Sequence, residues 1–279
     1  MTMSDKYPES SGRRRFVKGV VGSATLAGAG TAGVAAIETT TSPTGAGGGP
    51  TDYYAVENTA GPAPRGMPML PIEIDDEGNL RGVYPDLQEV ETDTGEIVEE
   101  PRMELGGIEY STDWFQYCGV QGYEGLRPDY DGDNYLRYSG TSTYDWQPGS
   151  GKVNVDDFQD YDTWENDYGE AGIGKPAKAT WRSDGTDNTI PVQIIRSTVL
   201  EDTIESEDGE VVDWLEAATD SGFMAILNKC THFCCAPSGF RTASYGGGED
   251  KIYCQCHQSL YDPFSIVKRS FVAFARPEN

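Results

Sequence analysis

Hydrophobic positions along this chain rarely keep one period for long. The exception is an apolar run from Gly19 to Ile37, nineteen residues without a charge. At 1.5 Å per residue that is enough for one helix to cross a hydrocarbon core of about 30 Å. Residues 38–71 are rich in Thr, Gly, Pro and Ser, as in Thr39-Thr40-Thr41-Ser42-Pro43 and Gly47-Gly48-Gly49-Pro50, the composition of a flexible linker. From Ile72 to Leu105, apolar pairs broken by Gly and acidic residues predict short strands and turns. From Tyr110 to Trp181, Tyr, Trp, Gly and Asp crowd together with neither a helical nor an alternating repeat, which predicts a loop-rich decoration pinned by its aromatics. Regular patterning returns at Ile190. Ile190–Leu200, Phe223–Leu227, Lys251–Cys254 and Ser265–Ala275 read as strands, and Val211–Thr219 as a short helix. The expectation is an all-β, antiparallel-sheet domain over 190–279, preceded by an acidic, aromatic-rich base or insert at 72–189, the linker at 38–71 and one N-terminal transmembrane helix at 19–37.

Charge changes the picture of the surface. Against 46 acidic residues stand 21 basic ones, a net −25, which disfavours nucleic acid and anionic membrane surfaces as partners. An aromatic content of 11% argues for a folded chain rather than a disordered one. Such an acidic surface suits molar salt, where a Debye length of about 3 Å screens self-repulsion, and a halophilic source is expected.

The apolar run has a basic preface. Gly12-Arg13-Arg14-Arg15-Phe16-Val17-Lys18 resembles a twin-arginine export signal, with Gly12 where Ser or Thr is usual. Residues 1–18 then form a cytoplasmic segment and everything after Ile37 lies outside the cell. Ala32-Gly33-Val34-Ala35-Ala36 offers a small-residue cleavage site, while the length of the run favours a retained anchor. A single-pass protein of the cell membrane with an extracytoplasmic head is the expected result.

The chemistry concentrates in two boxes. They are Cys230-Thr231-His232-Phe233-Cys234-Cys235 and Cys254-Gln255-Cys256-His257-Gln258-Ser259, and they hold both histidines of the chain and five of its six cysteines. Cys-x-His in one and Cys-x-x-His in the other give each loop one thiol and one imidazole for a shared cofactor. Zinc motifs usually pair cysteines and then pair histidines, and disulfides alone would not explain where the histidines stand.

These boxes resemble the cluster loops of Rieske iron–sulfur subunits of cytochrome bc-type, quinol-oxidising complexes. The resemblance covers residues 190–279 and, by type, the N-terminal anchor; it hardly touches 72–189. It implies a Rieske-type β-sheet domain with a cluster-binding subdomain holding one [2Fe–2S] cluster, with Cys230 and Cys254 on one iron and His232 and His257 on the other. It implies a disulfide between Cys235 and Cys256, hydrogen bonds from Ser259 and Tyr261 to a bridging sulfide and a ligand thiolate, and quinol chemistry at His257 and His232. The implied partners are a cytochrome b-type membrane subunit, quinol, and a cytochrome c-type or blue-copper acceptor. Histidine ligation would place the potential at about −150 to +300 mV. A second relative by the same resemblance is the small Rieske subunit of a molybdenum oxidase such as arsenite oxidase. An oxygenase would need two further histidines for a mononuclear iron, and both are already committed.

The chain departs from that family in places. Cys234 and Gln258 stand where Gly is usual and Gln255 where Pro is usual. The Gly-Pro-x-Pro loop expected after the second box is missing, the chain reading Lys268-Arg269-Ser270-Phe271-Val272 instead. Gly61-Pro62-Ala63-Pro64 spells that motif, but in the stretch read as linker. Cys118 and Cys234 remain over: a second disulfide tying the decoration to the first box is one possibility, two unpaired buried cysteines the other. Asp129-Tyr130-Asp131-Gly132-Asp133-Asn134 lacks the glycine and glutamate spacing of a calcium loop and reads as an acidic turn.

Overall fold

The computed structural model describes residues 49–274 except 64, 92–94 and 96. The export signal, the apolar span at 19–37 and residues 38–48 lie outside the described residues. Among the described residues no helix is long and apolar enough to cross a membrane.

Fourteen strands follow in chain order: β1 (Gly49–Ala60), β2 (Met67–Leu70), β3 (Ile72–Ile74), β4 (Leu80–Gly82), β5 (Leu87–Glu91), β6 (Ile97–Leu105), β7 (Ile108–Ser111), β8 (Arg137–Tyr138), β9 (Lys175–Trp181), β10 (Ile190–Arg196), β11 (Phe223–Leu227), β12 (Gly239–Phe240), β13 (Ile252–Cys254) and β14 (Ser259–Ala273). Nine of them make one curled antiparallel sheet in the order β12-β13-β14-β1-β2-β11-β10-β9-β8. β3–β4 and β5–β6–β7 form two small sheets beside it. Two α-helices, α1 (Thr198–Ser206) and α2 (Glu210–Ala218), cross between β10 and β11, so the fold is mostly β rather than wholly so.

Burial explains the central strands. All five residues of β11 and all four of β2 are buried, as continuous apolar runs are when a strand is covered on both faces. The aromatic-rich segment is pinned as expected. Trp114 stacks on Phe115 and Phe115 on Trp181, with ring centroids 3.5 and 5.7 Å apart. Phe158 packs edge-on against Phe223 of β11 at 5.0 Å. Each such fully buried ring contributes up to about 3 kcal/mol of transfer free energy.

Four expectations are corrected. Residues 49–60 and 67–70 are strands of the main sheet, not linker: β1 pairs with β14 from Gly49↔Ala273 to Ala60↔Leu260, and Tyr54, Ala55 and Val56 are fully buried. The boundary drawn at 189/190 divides nothing, because β9 pairs with β10 across it and the described residues fall in one unit. The strand read over Ile190–Leu200 stops at Arg196. Ser197 then accepts a hydrogen bond from the Val199 N–H at 3.1 Å and starts α1, a side-chain cap that outweighs the β-branched sequence. The last strand begins at Ser259, not Ser265, and runs unbroken to Ala273.

Candidate metal centre

Strands of one sheet deliver the two boxes, β11 and the β13–β14 hairpin, with β1 and β2 between them. The first follows β11 and folds into a tight loop: the Cys230 N–H donates to the Cys235 carbonyl at 2.7 Å and the Cys234 N–H to the Cys230 carbonyl at 2.9 Å. The second is the turn of the β13–β14 hairpin, closed by the pair Cys254↔Ser259. Each loop contains one left-handed non-glycine residue, Cys234 at φ 60° and Gln258 at φ 59°. These are the two positions at which the sequence resemblance led to an expectation of glycine. The backbone still makes the glycine turn, at about 1–2 kcal/mol per side chain.

Cys230 and Cys254 are the two free cysteines, and both are fully buried. The two thiols lie against each other, so the pair holds the Cys230 thiol below the usual thiol range and raises that of Cys254. The pair therefore gives up one proton readily and holds the other. Backbone N–H groups converge on both sulfurs, from His232 and Phe233 onto Cys230 and from Cys256 and His257 onto Cys254. Two N–H donors per sulfur favour thiolates, the form that ligates metal. The Tyr261 hydroxyl lies 3.2 Å from the Cys230 sulfur and accepts the Thr231 N–H at 2.9 Å.

The histidines sit outside the thiols. His232 is half-buried and His257 exposed, with their rings 4.5 Å apart and edge-on. Phe233, 67% exposed, lies against both at 4.3 and 5.2 Å.

Two disulfides brace the loops. Cys235–Cys256 joins box to box, and Cys118–Cys234 joins the first box to the 3-10 segment Asp113–Gly122. The sulfurs of Cys235, Cys254 and Cys256 lie within 4.8 Å of one another. Since two of these are already bonded, only Cys254 of the three is free to ligate.

The residues present fit a metal cluster. Buried polar atoms are nearly always hydrogen-bonded, yet the buried Nδ1 of His232 and the buried Oγ of Ser259 have no partner within the protein. One is an imidazole nitrogen from an expected ligand, the other a hydroxyl beside Cys254. A group bound at Cys230 and Cys254 would satisfy both, although among the described residues the ligand group within 4.8 Å, Cys235, Cys254 and Cys256, includes neither histidine. His232 would then bind through Nδ1, and Ser259 would donate to the group.

One part of the site was misplaced from sequence. The turn at Gly61-Pro62-Ala63 sits on the second box, not in a linker. A Cβ on Gly61 would lie 2.7 Å from the Ser259 Cα and 2.9 Å from the Gln258 carbonyl oxygen. Two residues further on, the Arg65 carbonyl accepts the Thr231 hydroxyl of the first box. The stretch from Gly61 to Arg65 thus touches both boxes. The motif was legible, but its position before the domain hid its place. Sequence reasoning also missed Thr231 and Arg65 as site residues. The acidic turn at 129–134 is a structural one: Asp133 pairs with Arg137 at 2.6 Å and the Asn134 carboxamide accepts from Arg182 at 2.7 Å.

Comparison with protein-family models, with characterised proteins and with solved structures finds no match.

Proposed function

We propose that this chain is a Rieske-type electron-transfer subunit that takes electrons from quinol in a membrane respiratory complex and passes them to a cytochrome c-type or copper-protein acceptor. One observation carries the reading: two buried free cysteines, one from each loop, lie beneath two outward-lying histidines whose rings are 4.5 Å apart, with a disulfide between the loops. Cys230 and Cys254 would hold one iron of a [2Fe–2S] cluster, and His232 and His257 the other. The cluster supplies a one-electron carrier whose potential imidazole ligation raises.

The protein's own residues supply the rest. The exposed imidazole of His257 is placed to accept a hydrogen bond from a quinol hydroxyl and to take its proton. Phe233 beside it offers an apolar surface for the pocket of a cytochrome b-type partner. Ser259 and Tyr261 would donate hydrogen bonds to the cluster and to the Cys230 sulfur, favouring the more negative, reduced state and raising the potential. The expected setting is the outer face of the cell membrane, with the head held by the N-terminal apolar run.

The test is EPR spectroscopy of the reduced, full-length protein in membranes, with and without a quinol-site inhibitor. A Rieske signal that responds to the inhibitor is expected, together with its loss in His257→Asn. A colourless zinc-loaded protein, or a normal cluster signal in His257→Asn, would overturn the reading.

A further inference from the structure

A cleft of about 570 Å³ opens beside the first box, between the insert and the end of β14, within the size range of small-molecule sites. Tyr53 and Trp114 are buried in its wall and Phe271 is half-buried there, while Val272 and Phe274 stand 51% and 79% exposed. A reciprocal pair of hydrogen bonds holds its two sides together. The Phe274 N–H donates to Gln116 Oε1 at 2.9 Å, and the Gln116 carboxamide donates back to the Phe274 carbonyl. The Cys118–Cys234 disulfide locks the insert to the first box at the same cleft. His232 reaches the wall; His257 does not.

The chemistry of the walls is one-sided. No Asp or Glu lines this cleft, in a chain of net charge −25. Two other cavities, of about 330 and 300 Å³, each carry three carboxylates: Asp145, Glu165 and Asp167 in one, Glu207, Asp208 and Glu210 in the other. The residue of fixed charge here is Arg65, which is exposed, with its guanidinium 5.9 Å from the Tyr117 ring. Among the described residues it forms no ion pair. A free guanidinium presents a planar fork that matches a carboxylate, and the rings beside it offer surface to a planar apolar body. Val272 and Phe274, apolar yet exposed, are the surface such a body would cover. A simple inorganic anion would use the guanidinium and leave the rings bare, and a neutral aromatic would do the reverse.

We propose that this cleft binds a small aromatic anion, with its carboxylate on Arg65 and its ring against Tyr53, Phe271 and Phe274. Long-range repulsion from a net charge of −25 opposes any anion. Molar salt removes most of that repulsion, with a Debye length of about 3 Å at 1 M, and leaves the direct contact with Arg65. The site is separate from the His257 side assigned above to quinol, and it does not depend on a cluster being bound. A ligand seated there lies beside His232, so the insert gives the head a small-molecule contact at the edge of its metal centre.

The test is isothermal titration calorimetry of 2-naphthoate into the full-length protein in lipid nanodiscs and molar potassium chloride, with empty nanodiscs as the blank. A single site is expected, with a dissociation constant of about 1 mM or tighter. The neutral analogue 2-naphthamide should bind about tenfold more weakly, because it lacks the charge-assisted bond. Arg65→Gln should weaken naphthoate about tenfold and leave naphthamide unchanged. Its backbone carbonyl still accepts the Thr231 hydroxyl, so circular dichroism should match wild type. Val272→Trp fills the cleft from an exposed position and should abolish binding of both ligands. No saturable heat in wild type, equal affinity for the two ligands, an unweakened Arg65→Gln or undiminished binding in Val272→Trp would each overturn the inference. Binding that appears only once residues 275–279 are removed would assign the cleft to the chain's own end and overturn it too. Should Arg65→Gln fail to fold, Val272→Trp and the ratio of the two ligands in wild type decide the matter. The heat signal needs no cluster, so failure here leaves the Rieske reading standing, and a missing [2Fe–2S] signal leaves this site standing.

Discussion

Removing the Cys118–Cys234 disulfide is expected to cost about as much stability as a large core truncation. The bond closes a loop with a sequence separation of 116. In the chain-entropy treatment such a crosslink takes about 16 cal/mol/K from the unfolded chain, about 4.9 kcal/mol at 25 °C. The variant of choice is Cys118→Ser with Cys234→Gly, which leaves no stray thiol beside Cys235. Position 234 is left-handed at φ 60°, so glycine there returns about 1 kcal/mol, for a net loss of about 4 kcal/mol. At about 2–4 °C per kcal/mol for a domain of this size, the melting temperature should fall by about 8–16 °C. The assay is calorimetry in molar potassium chloride on protein recovered from an oxidising compartment, with non-reducing peptide mapping to verify the bond in wild type. The Cys235–Cys256 disulfide still ties the boxes together, so the cluster should remain bound at room temperature. A loss below about 1 kcal/mol with the bond verified would refute the argument, since the unfolded chain would then gain nothing from release of the crosslink.

Two further substitutions probe the loops around the thiols. Ser259→Ala deletes a buried hydroxyl that has no protein partner. Cluster-free protein should be as stable as wild type or more so by about 1 kcal/mol, while the loaded protein's potential falls by about 60 mV, a tenfold change. Destabilised cluster-free protein with an unchanged potential would show that the hydroxyl does not face the cluster. Gly61→Ala places a methyl 2.7 Å from the Ser259 Cα at φ 91° and should cost about 2–4 kcal/mol with a distorted EPR line. Gly119→Ala, at φ 70° with nothing within 4 Å of its Cβ, is the control at about 1–2 kcal/mol. Equal effects by urea denaturation at the two glycines would mean that the turn at 61 does not press on the second box.

The site was more legible than the fold around it. Cys230, His232, Cys254 and His257 could be picked out because so few residues carry such chemistry, and both histidines stand at matching offsets from a cysteine. The structure buries the two cysteines and sets the two histidine rings 4.5 Å apart nearer the surface. β11 was readable because a strand buried on both faces is a plain apolar run. β1 was not. It begins Gly49-Pro50-Thr51-Asp52, a linker composition, and is made a strand by its long pairing with β14 rather than by local propensity. The same tertiary effect hid β9, whose Lys175-Pro176-Ala177-Lys178 lacks any strand signature, and brought the turn at Gly61 onto the second box. A motif shows which backbone turn can form; only the pairing partners determine where it ends up.

The partnership of β1 with β14 also has a bearing on manufacture. The first and last described strands lie side by side, from Gly49↔Ala273 to Ala60↔Leu260, and the turn that leaves β1 rests on the residue that begins β14. While the chain is still being synthesised, β1 has no neighbour on that side and the turn at Gly61 has nothing to rest on. Both boxes can leave the ribosome before the walls around them exist. Contacts this distant in sequence form late, so the surroundings of the two boxes are completed only after the last strand has been released. On the proposed function, cluster loading would act as a checkpoint on the whole fold: a chain truncated within β14 would carry Cys230, His232, Cys254 and His257 without the strand that pairs with β1.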